Sequence, residues 1–220
     1  MVGSTNHWSG SSPLVRNRFS ESVDRDDDAT PNIPLAMSGL KIAISSTEEL
    51  NGEELKNIAL ARIWVFKRPR KLPVHQILNE KWLRSLHLQM FSEIWEWAGK
   101  YRIIDTNIGI EFWRINQEII NAVEDARSQI GTKQLSEVER DLIVIRFSHR
   151  LVAIHPFPNG NGRWSRLMAD ALINSMGGAS FTWGGAGDKE NMSSTPDYIK
   201  ALRQADYEFD FEPLVKFARS

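Results

Sequence analysis

The sequence predicts an all-α domain carrying a short β-hairpin, and three observations lead there. Beyond Thr47, apolar residues return at three- and four-residue spacing in one stretch after another, the period of a helix with one buried face. Those stretches are bounded by Ser, Thr, Asn, Gly and Pro, the residues that start and stop helices. The exception is Tyr101 to Phe112, where Ile103, Ile104, Ile108 and Ile110 surround the turn residues Asn107 and Gly109, which reads as a hairpin. With 220 residues, 41% of them hydrophobic, the chain can bury one substantial core.

Residues 1–44 are expected to form an N-terminal arm, partly disordered or packed on the domain. They are rich in Ser, Asn, Pro and Asp and lack a sustained apolar period. A packed strap would use Trp8, Leu14, Phe19 and the segment Ile33 to Leu40. Residues 45–220 form the domain. Thr47, Glu48 and Glu49 open a first helix whose apolar positions run from Leu50 to Phe66, and Pro69 stops it. A second begins near Asn79, burying Trp82, Leu83, Leu86, Met90 and Phe91, and runs toward Trp95 and the Gly99 stop. A third spans Asn116 to Ile130. The fourth, Ser136 to about Ile154, is apolar almost all round, as a central helix must be, and its His149 reads as a hydrogen-bonded core residue. A fifth, opened near Gly162, turns Trp164, Leu167, Met168, Ala171 and Leu172 to one face. Beyond it Phe181 and Trp183 read as core packing, and an amphipathic pair, Tyr198 to Tyr207 and Pro213 to Ala218, closes the chain.

Charge excludes some functions. Lys+Arg 27 against Asp+Glu 28 leaves a formal charge of -1, so no footprint for nucleic acid or anionic membrane shows in the whole chain. The basic run Lys67, Arg68, Arg70 and Lys71 lies between Pro69 and Pro73 and reads as a solvated loop. Zero cysteines exclude disulfides and thiolate metal sites. Without a membrane span or a secretory h-region, a cytoplasmic protein is expected.

Residues 155 to 166 read HPFPNGNGRWSR and carry the chemistry. Gly160, Asn161 and Gly162 make a small-residue turn whose backbone N–H groups can converge on an anion, and the following helix adds the positive end of its dipole. Arg163 and Arg166, three apart, occupy neighbouring positions on that helix, from which guanidinium groups can hold the outer phosphates of a nucleotide. His155 precedes the turn, with an ordinary pKa near ~6.5 that suits a general base at neutral pH.

The string resembles the signature of the Fic family, HxFx(D/E)GNGRxxR, at every defined position but Asn159. WAGKYR at Trp97 to Arg102 and YIKALRQAD at Tyr198 to Asp206 resemble further segments of Fic domains. Asparagine in place of the acidic residue makes the chain most similar to the mobile mystery protein B branch. The resemblance implies a Fic-type helical bundle that transfers AMP from ATP onto a Ser, Thr or Tyr hydroxyl of a target protein. In it His155 is the base, Gly160, Asn161 and Gly162 form the anion hole, and Arg163 and Arg166 hold the phosphates. It also implies a target-docking flap at Asn107, Ile108, Gly109, Ile110 and Glu111.

In that family the acidic residue before the first glycine holds Mg²⁺ against the phosphates, so Asn159 is a weak candidate ligand and a weakened Mg²⁺ site is expected. Three readings stay open: a slower Mg²⁺-dependent adenylyltransferase, another donor or phosphoryl transfer, and nucleotide binding without turnover. A purely structural helical domain is the reading from another class. Many relatives are inhibited through a helix bearing (S/T)xxxE(G/N). No clean match occurs, so Glu48, Glu49, Glu53 and Glu54 read as a solvated face, and Glu190 with Asn191 lacks the upstream Ser or Thr. Inhibition by a partner protein is the alternative.

Overall fold

The computed structural model describes residues 39–67, 71–131, 134–185 and 196–220. Eight α-helices lie among them: α1 (Thr47–Phe66), α2 (Val74–Ile77), α3 (Glu80–Phe91), α4 (Ile115–Ile130), α5 (Glu137–Ile154), α6 (Asn161–Ser175), α7 (Pro196–Tyr207) and α8 (Glu212–Arg219). The all-α class holds. Helix starts follow local chemistry: Ser46 Oγ accepts the Glu49 N–H at 3.1 Å, and Asn79 Oδ1 accepts the Lys81 N–H at 2.9 Å. Ser136 and Glu139 cap α5 reciprocally.

The core forms around α5 and α6. From Trp164 to Ile173 every residue of α6 is buried, so this helix runs through the interior rather than over it. Trp164, Leu167, Met168 and Leu172 are fully enclosed, each worth about 1.5–3 kcal/mol of burial. Helix α4 and α8 pack on α5, α3 packs between α1 and α6, and α7 pairs with α8. The α5–α6 connection is therefore held at the centre of the bundle, where its geometry is fixed by everything around it.

Three expectations change. Helix α3 ends at Phe91, short of Gly99, and turns through residues 92–99. Trp95 there serves as a hydrogen-bond donor to Glu54. The short α2 and a 3-10 turn, Phe112–Arg114, were not signalled because neither is long enough to show a period. The hairpin expected over Tyr101 to Phe112 is not a strand pair: residues 101–111 form an irregular loop whose polar backbone is taken up by one side chain, described below. Alternating apolar residues could pair only if the backbone groups faced a partner strand, and here they face the end of α5 instead.

Of the arm, Gly39 to Lys41 pack on the exit of α3: the Lys41 N–H donates to Ile94 and the Glu96 N–H to Gly39, both at 2.8 Å. Trp8, Leu14, Phe19, Ile33, Arg68, Arg70, Glu190 and Asn191 lie outside the described residues. His149 is partly buried rather than a core residue, and its Nε2 lies 2.8 Å from Asp206 Oδ1. Phe181 is buried, and Trp183 packs on the core with its Nε1–H on Asp170. No helix among the described residues is long and apolar enough to cross a membrane.

Candidate active site

Helix α5 ends at His155 in a left-handed conformation, φ 52° and ψ 60°. A β-carbon there costs roughly 1–2 kcal/mol, so surrounding contacts must hold it. Arg102 supplies them. Its Nε donates to the His155 carbonyl at 2.7 Å and its backbone N–H to the Pro156 carbonyl at 2.9 Å. Its Nη1 donates to Ile104 at 2.8 Å, and its Nη2 to the carbonyls of Ile110 and Ile154. One buried guanidinium thus joins both arms of the 101–111 loop to the end of α5.

The turn after His155 closes on itself. Asn161 Oδ1 accepts the Phe157 N–H and Asn161 Nδ2 donates to the Phe157 carbonyl, each at 2.9 Å. The side chain of Asn161 is therefore a clip across the turn, and only its backbone faces an anion. Gly160 adopts φ 77°, and a Cβ there would lie 2.4 Å from the Phe91 ring, so only glycine fits. The first-turn N–H groups of Asn161, Gly162 and Arg163 have no acceptor within α6 by helix geometry, which is what an anion at this end requires.

Nothing in the residue pattern singles out His87. This fully buried ring lies under the turn, stacked on Phe157 with centroids 3.6 Å apart. Its Nδ1 accepts the Gly99 N–H at 3.0 Å, so Nε2 carries the proton and donates to the Asn159 carbonyl at 3.1 Å. Burial lowers its pKa to about 3, keeping it neutral in that tautomer. A lone histidine at a buried helical position carries no sequence mark of this role.

The two arginines are engaged differently from each other. Arg163 Nη1 lies 2.6 Å from Glu54 Oε2, with its guanidinium 5.3 Å from the Phe91 ring. Glu54 Oε1 in turn accepts the Trp95 Nε1–H at 2.7 Å. Glu54 is 2% exposed, so the expectation of a solvated acidic face fails at this residue: its partners come from α6 and the α3 exit, too distant in sequence to be foreseen. Arg166 is buried, with its guanidinium 4.7 Å from the Tyr198 ring. One turn further, Asp170 receives Arg62 at 3.2 Å and the Phe181 N–H and Trp183 Nε1–H at 3.1 Å each. Burial nevertheless raises its pKa to about 6.

His155 also departs from its expected state. The loop covers it: a Cβ on Gly109, φ 92°, would fall 2.5 Å from its own Cβ. Burial, aided by the Arg102 charge, lowers the His155 pKa to about 3 rather than leaving it near neutrality. The enclosed ring is neutral, able in principle to accept a proton, yet weakly basic until the loop lifts.

Asn159 turns its side-chain oxygen back onto the turn. Its Oδ1 accepts the Gly160 N–H at 2.6 Å, and no group of three His, Cys, Asp or Glu side chains that could hold a metal occurs among the described residues. A neutral amide oxygen holds a hard cation such as Mg²⁺ less strongly than a carboxylate does, and here it is engaged with the Gly160 N–H.

A helical domain whose central helix opens at a glycine-built turn beside a covered histidine is the class of protein these contacts define. Residues 77–173 match the sequence model of the Fic/DOC family, and the family resemblance read from the motif holds. The chain is 24% identical over 200 residues to the probable protein adenylyltransferase Fic of Escherichia coli, covering 86% of this chain and 93% of that protein. It is 34% identical over 105 residues to the protein adenylyltransferase VbhT of Bartonella schoenbuchensis, covering 43% of this chain but only 21% of VbhT. Among solved structures it resembles the BepC protein of Bartonella tribocorum with bound AMPPNP, at a TM-score of 0.63 and 17% identity over 82% of this chain and 89% of that one. A Bartonella quintana Fic domain gives a TM-score of 0.65 at 18% identity, covering 82% and 85%. At such identity these two speak to the fold.

Proposed function

We propose that the protein is an adenylyltransferase that moves AMP from ATP onto a Ser, Thr or Tyr hydroxyl of a target protein. The observation that carries this reading is one connection, His155 to Arg163, that sets a histidine and an anion-receiving helix end a few residues apart at the centre of the bundle. The names of the similar proteins support it.

In the proposed reaction the target hydroxyl oxygen attacks the α-phosphorus and its proton passes to His155. The bond from the α-phosphorus to the bridging oxygen breaks, and pyrophosphate leaves. The N–H groups of the Gly160 to Arg163 turn receive the phosphate oxygens, and their fixed dipoles stabilise the charge that builds there. Phosphate must compete with Glu54 for Arg163, and it must reach past Tyr198 to engage Arg166. The target segment lies along residues 107–111, where the exposed Ile103 and Ile104 extend the apolar surface. Lifting this loop uncovers His155 and returns its basicity, so docking of the target and activation of the base are one event. No step is assigned to Mg²⁺, because Asn159 does not offer it a suitable oxygen.

Asn159 and the covered histidine favour a second reading, nucleotide binding without turnover. One experiment separates the two. His155→Ala should retain ATP affinity in calorimetry and lose AMP transfer to lysate proteins by at least about 100-fold, the usual share of a general base. Transfer at the wild-type rate would remove the histidine from the mechanism, and binding with no transfer by wild type would establish the second reading.

A further inference from the structure

The peptide joining Asn159 to Gly160 is the one on which the anion turn depends. The peptide group is planar, with its C=O and N–H pointing in opposite directions, so whatever fixes the carbonyl of Asn159 also aims the N–H of Gly160. Gly160 cannot fix it alone. A glycine accepts negative φ as readily as its observed 77°, so the peptide before it can flip, which is the difference between types I and II of the same turn. The choice must come from outside the turn.

We propose that His87 is the positioning residue that makes this choice: its Nε2–H holds the Asn159 carbonyl inward at 3.1 Å and thereby turns the Gly160 N–H outward to the anion. Three observations bear on the assignment. The Gly99 N–H occupies Nδ1 at 3.0 Å, which leaves the ring one tautomer, with the donor toward Asn159. The ring cannot rotate away, because Phe157 is stacked on it at 3.6 Å and the Phe91 and Trp97 rings approach at 4.7 and 6.0 Å. Finally, the outward N–H is seen in use: it donates to Asn159 Oδ1 at 2.6 Å, the place a phosphate oxygen would take. His87 touches no reacting atom. It also connects Gly99, at the root of the 101–111 loop, to the turn, so that the covering loop and the cradle share one rigid ring.

The inference rests on the functional reading only in that the turn receives phosphate, and paired isosteres test it in the full chain. In His87→Gln the amide nitrogen overlays Nε2 and keeps the donor to Asn159, while the acceptor for Gly99 is lost. In His87→Asn the oxygen overlays Nδ1 and keeps Gly99, while the donor to Asn159 is lost. Each variant strands one buried backbone group, so urea unfolding should show similar losses of stability. ATP affinity by calorimetry should separate them: within about 3-fold of wild type for Gln, and weaker by about 10-fold or more for Asn. Equal affinities, or affinity losses that follow stability in both, would overturn the role. A further measurement needs no variant: long-range nitrogen correlation spectra of the wild-type protein should show His87 protonated at Nε2, and protonation at Nδ1 would overturn the proposal even if His87→Asn does not fold. Failure of wild type to bind ATP would remove the functional reading and this role together, whereas wild-type binding with indifferent variants removes only His87.

Discussion

The anion turn and the loop that covers it meet across His155, yet they are held in opposite ways. The turn is fixed many times over: the Asn161 clip belongs to α6, while α3 supplies the His87 donor, the Phe91 ring against Gly160 and the Leu83 carbonyl that takes the Trp164 Nε1–H. The covering loop depends mainly on Arg102, with Thr106 Oγ1 on Ile108 and the Phe112 N–H on Asp105 as internal bonds. Ile103 is 79% exposed, while Phe157 in the turn is not exposed at all. The proposed function, in which fixed dipoles meet phosphate and a protein chain must be admitted, calls for such a division. In that proposal the rigid part is the one that receives the nucleotide and the lightly held part the one that moves.

The largest expected effect compares the two glycines that define these regions. Gly160 and Gly109 both have positive φ, and a Cβ on either would fall within about 2.5 Å of a neighbour. Gly160→Ala should cost about 2–4 kcal/mol in urea unfolding, since the Phe91 ring is packed on all sides and cannot yield. Gly109→Ala should cost about 1 kcal/mol, because the loop can rise off His155. The same change should move the His155 pKa in NMR titration up from about 3 toward the ordinary ~6.5 as water reaches the ring. Equal stability losses with an unmoved His155 would show the loop to be as rigid as the turn.

A smaller effect lies in pH. His87 and His155 have pKa values lowered to about 3, so unfolding takes up two protons once the pH falls below ~6.5, and stability drops. Asp170 acts against them: raised to about 6, it binds a proton in the folded protein before the unfolded chain does, which adds stability as pH falls from about 6 toward ~4. The net is a loss of about 2 kcal/mol between pH 7 and pH 5 by linkage. That figure requires the loop to stay closed. Were it to lift on acidification, His155 would titrate in the folded state and the loss would shrink to under about 1 kcal/mol, with only His87 opposing Asp170. Urea unfolding at the two pH values reads the difference between regions directly.

The same contrast explains what could be read from sequence. The helices α1, α3, α4, α5 and α6 were legible because periodicity and caps are local, and the turn was legible because its glycines, asparagine and arginines stand in fixed order. Arg102 was visible only as part of a resembling segment, and His87 and Glu54 were invisible in role: each acts through a partner more than fifty residues away, by burial, which no local spacing encodes. The covering loop was misread as a hairpin for the same reason. Its isoleucines and turn residues suggested strand pairing, while the acceptors of the Arg102 and Ile110 N–H groups, the carbonyls of Pro156 and Ile154 at the end of α5, lay elsewhere in the chain.

The smallest effect concerns Asn159, at the rim of the rigid turn. Because His87 holds its carbonyl and Gly160 its side-chain oxygen, Asn159→Asp should change charge with little change of shape: a carboxylate can accept the same N–H. Wild type should bind ATP with affinities within about 3-fold of each other in EDTA and in saturating Mg²⁺, having no anionic ligand to link the two. In the variant the added charge repels the triphosphate in EDTA, and Mg²⁺ screens it by bridging carboxylate and phosphate, so affinity should fall a few-fold without metal and recover with it. Calorimetric titrations of both proteins in both buffers supply the four numbers. A wild type that already requires Mg²⁺ as steeply as the variant would mean that Asn159 turns its oxygen to the metal when nucleotide arrives, and that this edge of the turn belongs with the movable region rather than the fixed one.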